Sequence, residues 1–511
     1  MSQRQSLIAS KQPSILAATL LVAGPVCLQT LVSCGSWLLA FALLGRYTDE
    51  TVMAAFGLAN TLCNLAGRYL LWGVGAGFDT LASQAWGAGE HLQLGLYAQR
   101  VLLLLLASVC LPLSALWWFA SPLLEAAGQP AAVAAYASLY ARYSLPSLYL
   151  QALACVLIKA LLAMGKARAV TVACVLSELT LLGSLLALLP HSRTALRGAA
   201  LASVAASAVQ TLVLLALAAA DAQCRGCWPG CTLAALRGWR AYLRLGLPAC
   251  LMLLAEALSW DLVSFLAGLC ASATGGAPHA PRTLLAAQGL LQAYVSTCYC
   301  VPTGIGRGAT TVIGNAVGAG DARRAAAAAR LAALLGLCST AALVALLTLL
   351  RAPLVRLFGA PPPVQQVMLT LMPYVAGFVF ADGVQMCLTG VITGAGRQAV
   401  TMPVLLLAYW VVGLPAGAVA AFTWPRLGLL GLWLGMTLAV YLHTAAYVVV
   451  CFAPWGKVAI RWDRAIAEAR ERLEQPTAPP LQLEAEPACT VEPLGPLPPM
   501  AQGSSPATSV Q

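Results

Sequence analysis

Two carboxylates, Glu256 and Asp261, stand in the middle of an otherwise apolar stretch from Leu245 to Leu269, LGLPACLMLLAEALSWDLVSFLAGL. That stretch is long enough to cross a bilayer as a helix, for which roughly 20 apolar residues suffice. An acid at such depth costs roughly 2.5–3.5 kcal/mol on insertion scales and marks a functional site by default. Its chemistry is narrow. Burial disfavours the charged form of a carboxyl, so the group either takes a proton or pairs with a cation. Asp382, in VFADGVQ, lies in another apolar run and offers a facing acid. Five positions separate Glu256 from Asp261, roughly 140° around an ideal helix. The two share a face only if the helix bends or unwinds. Pro248 removes a backbone donor and can kink the helix entry.

Other charged residues in apolar runs have plainer readings. Glu178 is an acid within an apparent span, for which functional and structural roles both stay open. Lys159 stands near the turn at Gly165 and reads as a snorkelling side chain. Arg68 and Arg142 either pair with acids or border a cleft. Asp79, Glu90 and Asp321 read as helix caps. Cys224, Cys227 and Cys231, in CRGCWPGC, lack the histidine that would make a good zinc set; juxtamembrane lipidation there is open. No HExxH motif, GxSxG in a span, or paired Cys/His metal set occurs. The chain therefore does not read as an enzyme, and no catalytic or metal-binding residue is assigned.

The elements that must position these acids follow from composition. The 511 residues are 60% hydrophobic and 9% charged, with a mean hydropathy of +0.81. No soluble class has that profile; this is a polytopic membrane protein. The net charge of +11 is spread between apolar runs, which is topology information and not a nucleic-acid surface. Cysteines such as Cys27, Cys110, Cys155 and Cys174 fall within those runs and serve as small hydrophobes. Twelve runs predict twelve helices, because lipid offers no partner for unpaired backbone groups. They lie near 14–44, 51–78, 97–120, 136–163, 168–190, 197–219, 241–271, 285–313, 328–350, 365–392, 401–423 and 427–453.

Basic residues are richer in the termini and alternate loops, for example Arg237, Arg240, Arg323 and Arg324, than in the opposite loops with Arg46, Arg282 and Arg351. That bias predicts cytoplasmic termini. The halves repeat at an offset of 231. Gly87 and Gly89 fall on Gly318 and Gly320, Pro122 on Pro353, Gly128 on Gly359, Tyr143 on Tyr374, and Gly165-Lys166 on Gly396-Arg397. Six helices per repeat give two bundles of the same orientation, related by an axis along the membrane normal, with a cleft between and within them.

The ordered motifs resemble the multidrug and toxin extrusion family, in its eukaryotic branch. FDTLASQAWGAG at Phe78–Gly89, PTGI followed by GNAVGAGD between Pro302 and Asp321, TGVITGAGRQ at Thr389–Gln398 and GLWLGM at Gly431–Met436 carry the likeness over residues 15 to 465. The resemblance implies two six-helix lobes and exchange of protons, sometimes sodium, for organic cations or other xenobiotics. It places the family's seventh-helix acids on Glu256 and Asp261, its tenth-helix acid on Asp382 and its second-helix Asn on Asn64. There are departures. EALSWD leaves Ala257 and Leu258 where animal members carry aromatic walls, with Trp260 retained. An eighth-helix acid falls near Ala293, beside Gln292. VIGN replaces RVGN, with Arg307 upstream. The bacterial first-helix Asp has no counterpart; that helix offers Gln29 and Thr30.

The expected fold is an all-α membrane protein of twelve transmembrane helices in two pseudo-symmetric six-helix lobes. Its expected parts are a cytoplasmic N-terminus 1–13, an N-lobe 14–219, a linker 220–240, a C-lobe 241–453, a cytoplasmic amphipathic segment 454–474 and a disordered Pro-rich tail 475–511. The expected function is proton-driven antiport of organic cations by alternating access, at a site of Glu256, Asp261, Asp382, Asn64, Gln29 and Trp260. The alternatives are a lipid or other organic-solute flippase of the same superfamily, which would show a basic cleft, and a channel. The expected partners are small organic cations, protons and the bilayer, with no nucleic acid. No cofactor is called for, since a proton or sodium gradient supplies the drive. A monomer in the plasma membrane is expected, with a vacuolar or vesicular membrane as the alternative.

Overall fold

The computed structural model describes residues 13–190, 195–273, 281–357, 360–423, 426–453 and 459–474. The expected N-terminal segment, apart from Pro13, and the tail after 474 lie outside the described residues. Twelve long helices carry the fold. In the first half they are α1 (Ile15–Tyr47), α2 (Glu50–Cys63, Asn64–Arg68 and Tyr69–Ala88), α3 (His91–Trp118), α4 (Ala131–Ala163), α5 (Ala167–Leu188) and α6 (Ala195–Ala220). In the second they are α7 (Trp239–Ala273), α8 (Pro281–Cys298 and Cys300–Gly318), α9 (Ala322–Leu349), α10 (Pro362–Ala395), α11 (Gln398–Phe422) and α12 (Leu429–Phe452). A thirteenth, α13 (Trp462–Glu474), is short and charged.

Ten of these are continuous helices long and apolar enough to span, and α8 is an eleventh, bent by 41°. Its bend falls at Tyr299, just before Pro302, which cannot donate a backbone bond. The twelfth is α2. It is interrupted by a π turn at Asn64–Arg68, inside which Ala66 leaves helical geometry (φ −97, ψ 44). Such turns are frequent at functional sites.

Each half has its own apolar core. One gathers residues such as Phe78, Leu105, Trp117 and Leu148. The other gathers Phe378, Trp433, Met436 and Tyr447. The halves meet along a seam in which α1 packs on α8, α2 on α7, and α2 on α8. Contact across it is reciprocal. A β-carbon at Gly87 would lie 2.1 Å from the carbonyl oxygen of Asn315, and one at Gly318 would lie 2.0 Å from that of Gln84. Gln84 and Asn315 are themselves 231 positions apart. So are Ser83 and Gly314, which touch each other. Such self-complementary contact belongs to a two-fold relation, here an internal one.

The two signature loops follow this contact. Gly89 (φ +80) and Gly320 (φ +77) turn the chain in the left-handed region that favours glycine. Asp321 caps α9, its carboxylate accepting from the Arg324 N–H at 2.8 Å. Glu90 makes no side-chain cap bond, so the capping role read for both loop acids holds for one of them.

α13 lies against this end of the molecule. Ala465, Ile466 and Ala469 are buried in the second half's core, and Leu473 packs on the first. Arg397 pairs with Glu468 at 3.3 Å, and the Tyr97 hydroxyl donates to the Arg472 carbonyl at 3.2 Å. The last helix thus joins both halves.

Candidate functional site

α7 displays a broad face toward the seam. Ala249, Met252, Glu256 and Trp260 follow one another at helical spacing, and Leu253, Ala257 and Asp261 form a second row beside them. Both rows border a cavity of about 640 Å³. Glu256 and Asp261 therefore lie on one wide face, so the separation of roughly 140° does not keep them apart. Asp382 of α10 borders the same cavity.

The remaining wall is aromatic and polar. Trp260 meets Phe378 and Trp433 edge-on, with ring centroids 5.2 and 5.8 Å away. Trp433 is fixed in turn by its Nε1–H donating to Gln288 Oε1 at 3.0 Å. From the first half, Thr30 and Cys34 of α1 and Tyr69, Trp72 and Asp79 of α2 face the cavity. Gln292 of α8 also faces it and accepts from Ser264 at 3.2 Å.

Of the six residues proposed from sequence, Glu256, Asp261, Asp382 and Trp260 border the cavity. Gln29 and Asn64 are not among its lining residues. On α1 it is the neighbouring Thr30 that faces inward, and Asn64 opens the π turn of α2.

The three carboxylates differ from other acids in the helices. Among the described residues, none of the three has a hydrogen-bond or ion-pair partner for its side chain. Glu178, by contrast, accepts from the Ser33 hydroxyl at 2.8 Å. Asp79 carries two cations on one oxygen: its Oδ2 meets Lys159 Nζ at 2.5 Å and Arg307 Nη1 at 3.2 Å. Arg68 donates to Asn60 at 3.0 Å and Arg142 to the Trp118 carbonyl at 2.8 Å.

Lys159 and Asp79 depart from the roles their sequence positions suggest. Lys159 does not snorkel; its side chain is 1% exposed and ends on Asp79 beside the Trp72 ring. Asp79 caps no helix; it sits inside Tyr69–Ala88, and its carboxylate joins the halves through Arg307. Only the presence of an acid and a base within apolar runs hinted at that pairing.

Next to Asp79, polar contacts cross the seam. The Thr80 hydroxyl donates to the Thr393 carbonyl at 2.6 Å and receives Gln398 Nε2 at 2.7 Å, and Gln84 Nε2 donates to the Gly394 carbonyl at 3.2 Å. Each bond crosses between halves. Together with the Gly87–Asn315 contact they hold the lobes together at the end bearing the signature loops.

A cavity between two lobes of six helices, with free acids on one wall, suits a carrier. The family model described as MatE matches residues 25–189 and again 262–419, once in each lobe and over more than half the chain. The chain belongs to the MatE family. Among its relatives are Protein DETOXIFICATION 16 of Arabidopsis thaliana, 28% identical over 83% of this chain and 84% of that protein, and Multidrug and toxin extrusion protein 1 of Danio rerio, 25% identical over 91% and 76%. The fold resembles the crystal structure of the eukaryotic MATE transporter AtDTX14, with a TM-score of 0.81 at 23% identity over 90% of this chain and 99% of that one. It is also similar to an outward-facing multidrug resistance MATE transporter, with a TM-score of 0.72 at 17% identity over 89% and 96%. This MatE-family chain is accordingly a multi-pass membrane transporter.

Proposed function

We propose that this transporter exports organic cations in exchange for protons, with Glu256, Asp261 and Asp382 as the groups that alternately hold the two. One observation carries the reading: three carboxylates face a cavity of about 640 Å³ with no counter-charge of their own among the described residues. A cation with apolar bulk matches that wall, its charge set against the acids and its body against Trp260. Protonation of the carboxylate oxygens from the far side removes the negative charge and releases the cation. The protonated, empty carrier then turns back and gives up its protons. The separate cores of the lobes suit them to move as units, and the seam between them is where access alternates.

Protons, not sodium, are the proposed coupling ion, the plasma membrane the proposed site, and a monomer the working unit. The deciding experiment is uptake of a fluorescent organic cation into vesicles holding the purified protein, under an imposed pH gradient or an imposed sodium gradient. Uptake driven by the pH gradient alone is expected. Uptake that follows sodium alone would end the proton reading, and uptake under neither would end the exchange reading.

A further inference from the structure

Elsewhere on its lining, the cavity carries the contrary charge. Arg307 is the one basic side chain among the described lining residues. Its side chain is 29% exposed, whereas Lys159 behind it is 1% exposed. Both lean on Oδ2 of Asp79. Two cations on one carboxylate leave a surplus of one positive charge at this end of the cavity. A guanidinium has five N–H donors in a fixed fork. Nη1 is used on Asp79; among the described residues Nε and Nη2 have no partner. Asp79 also holds Arg307 from the neighbouring lobe, so the fork is oriented before anything binds.

The cavity is therefore dipolar: surplus negative on the α7 and α10 wall, surplus positive where α8 meets α2. A substrate carrying only a positive charge is attracted at one end and repelled at the other. A substrate with a cationic centre and, some ångströms away, a carboxylate satisfies both ends. We propose that Arg307 is a specificity-determining residue that recognises an anionic group on the substrate, so that the favoured substrates are zwitterionic cations and not simple alkylammonium ions. This rests on the reading of the cavity as the cation site.

Two labelled probes of matched size test it: butyltrimethylammonium and 4-(trimethylammonio)butanoate, which differ in one terminal carboxylate. Their equilibrium binding to the purified full-length protein is measured for wild type, Arg307→Gln and Arg307→Lys. A charge-assisted hydrogen bond contributes roughly 1.5–3 kcal/mol, so wild type should prefer the carboxylate-bearing probe about tenfold or more. In Arg307→Gln the two probes should move in opposite directions. The zwitterion binds more weakly, and the simple cation more tightly because a nearby like charge is gone. Arg307→Lys should keep part of the preference, retaining charge without the fork. Loss of affinity for both probes together in Arg307→Gln, or equal affinity in wild type, would overturn the proposal and leave Arg307 as a tie between lobes. Vesicle flux under a pH gradient, run alongside, tests the coupling separately. Discrimination in binding without proton-driven flux sinks only the exchange reading, proton-driven flux without discrimination sinks only this one, and a protein that binds neither probe sinks both.

Discussion

Arg472 donates a hydrogen bond from Nη1 to Gln84 Oε1 over 2.9 Å, tying the last described helix to the end of α2. Gln84 is also the residue whose backbone meets Gly318 across the pseudo-two-fold contact. The brace and the lobe-to-lobe contact thus share one residue, and Glu468 is the ionic centre of the brace. Glu468 meets Arg397 at 3.3 Å, Arg464 at 2.9 Å and Arg472 at 3.3 Å. Glu468→Gln removes three attractions, one of them to an exposed arginine. A partly buried network of this kind supports a loss of about 1–2 kcal/mol. Thermal unfolding in detergent should show a lower midpoint, and an unchanged midpoint would mean that α13 is held by its apolar face alone.

Gly87→Val should favour the state parted at the signature-loop end. The added β-carbon has no room while Asn315 stands opposite, so the lobes must separate there or the protein must yield elsewhere. Ser83, buried in the closed contact, is the place to look. In a Ser83→Cys protein, modification of that thiol by a water-soluble maleimide, located by mass spectrometry, should rise when Gly87→Val is added. If labelling does not rise, the contact does not keep the lobes closed.

Lys159→Met should be costly. Breaking a buried pair typically destabilises by about 3–5 kcal/mol; the contact of Asp79 with Arg307 places the expected loss near the lower figure. Adding Asp79→Asn should recover part of it, since the stranded carboxylate disappears. The measurement is the fraction of protein that stays monodisperse on heating. A neutral Lys159→Met would return the side chain to the snorkelling role its sequence position suggests.

Glu256→Gln should abolish proton-driven exchange while the protein still folds and inserts, because Gln keeps the size and hydrogen-bonding capacity of Glu but binds no exchangeable proton. In wild type, release needs the protonated acid, so exchange falls as external pH rises. In the variant that dependence flattens along with the rate. Counterflow of a labelled cation at several external pH values separates the two proteins. A variant that retained rate and profile would assign the coupling to Asp261 or Asp382.

Shortening the chain after Gln475 should leave transport per molecule near that of wild type, as the sequence there is Pro-rich and has no apolar run long enough to span. Loss of flux in a correctly inserted truncation would show that the tail acts in the cycle.

The helices were legible in the sequence because lipid makes apolar length decisive, and all twelve apolar runs became helices. What escaped was where α2 breaks, since nothing in NLAGR marks Ala66 as non-helical. Asp79 and Lys159 escaped for a different reason: they are 80 positions apart, and only the packing of α2 on α4 brings them together. Glu256, Asp261 and Asp382 were legible through cost alone, because an acid in an apolar run needs a reason. The width of the α7 face was not, for it depends on what the neighbouring helices leave uncovered. The close approach of α2 and α8 to their neighbours does have a signal in the sequence. Gly73, Gly75 and Gly77 recur as Gly304, Gly306 and Gly308 at the same offset, and they are the positions where α2 and α8 approach their neighbours.

The meeting of Ser83 with Gly314 bears on why the two halves sit well in one chain. A pair of identical six-helix chains would place the same residue on both sides of their axis. Serine facing serine does not fit, because a β-carbon at 314 would lie 2.0 Å from the Ser83 hydroxyl oxygen. Glycine facing glycine would forgo the bonds Ser83 makes to the Asp79 and Thr80 carbonyls. With both halves in one chain, the two positions of a related pair can differ, as Ser83 and Gly314 do. The acids record the same freedom: Glu256, Asp261 and Asp382 correspond to Pro25, Thr30 and Gln151. One lobe holds the three unpartnered acids, while its twin sets on the same cavity an acid, Asp79, already met by Lys159 and Arg307.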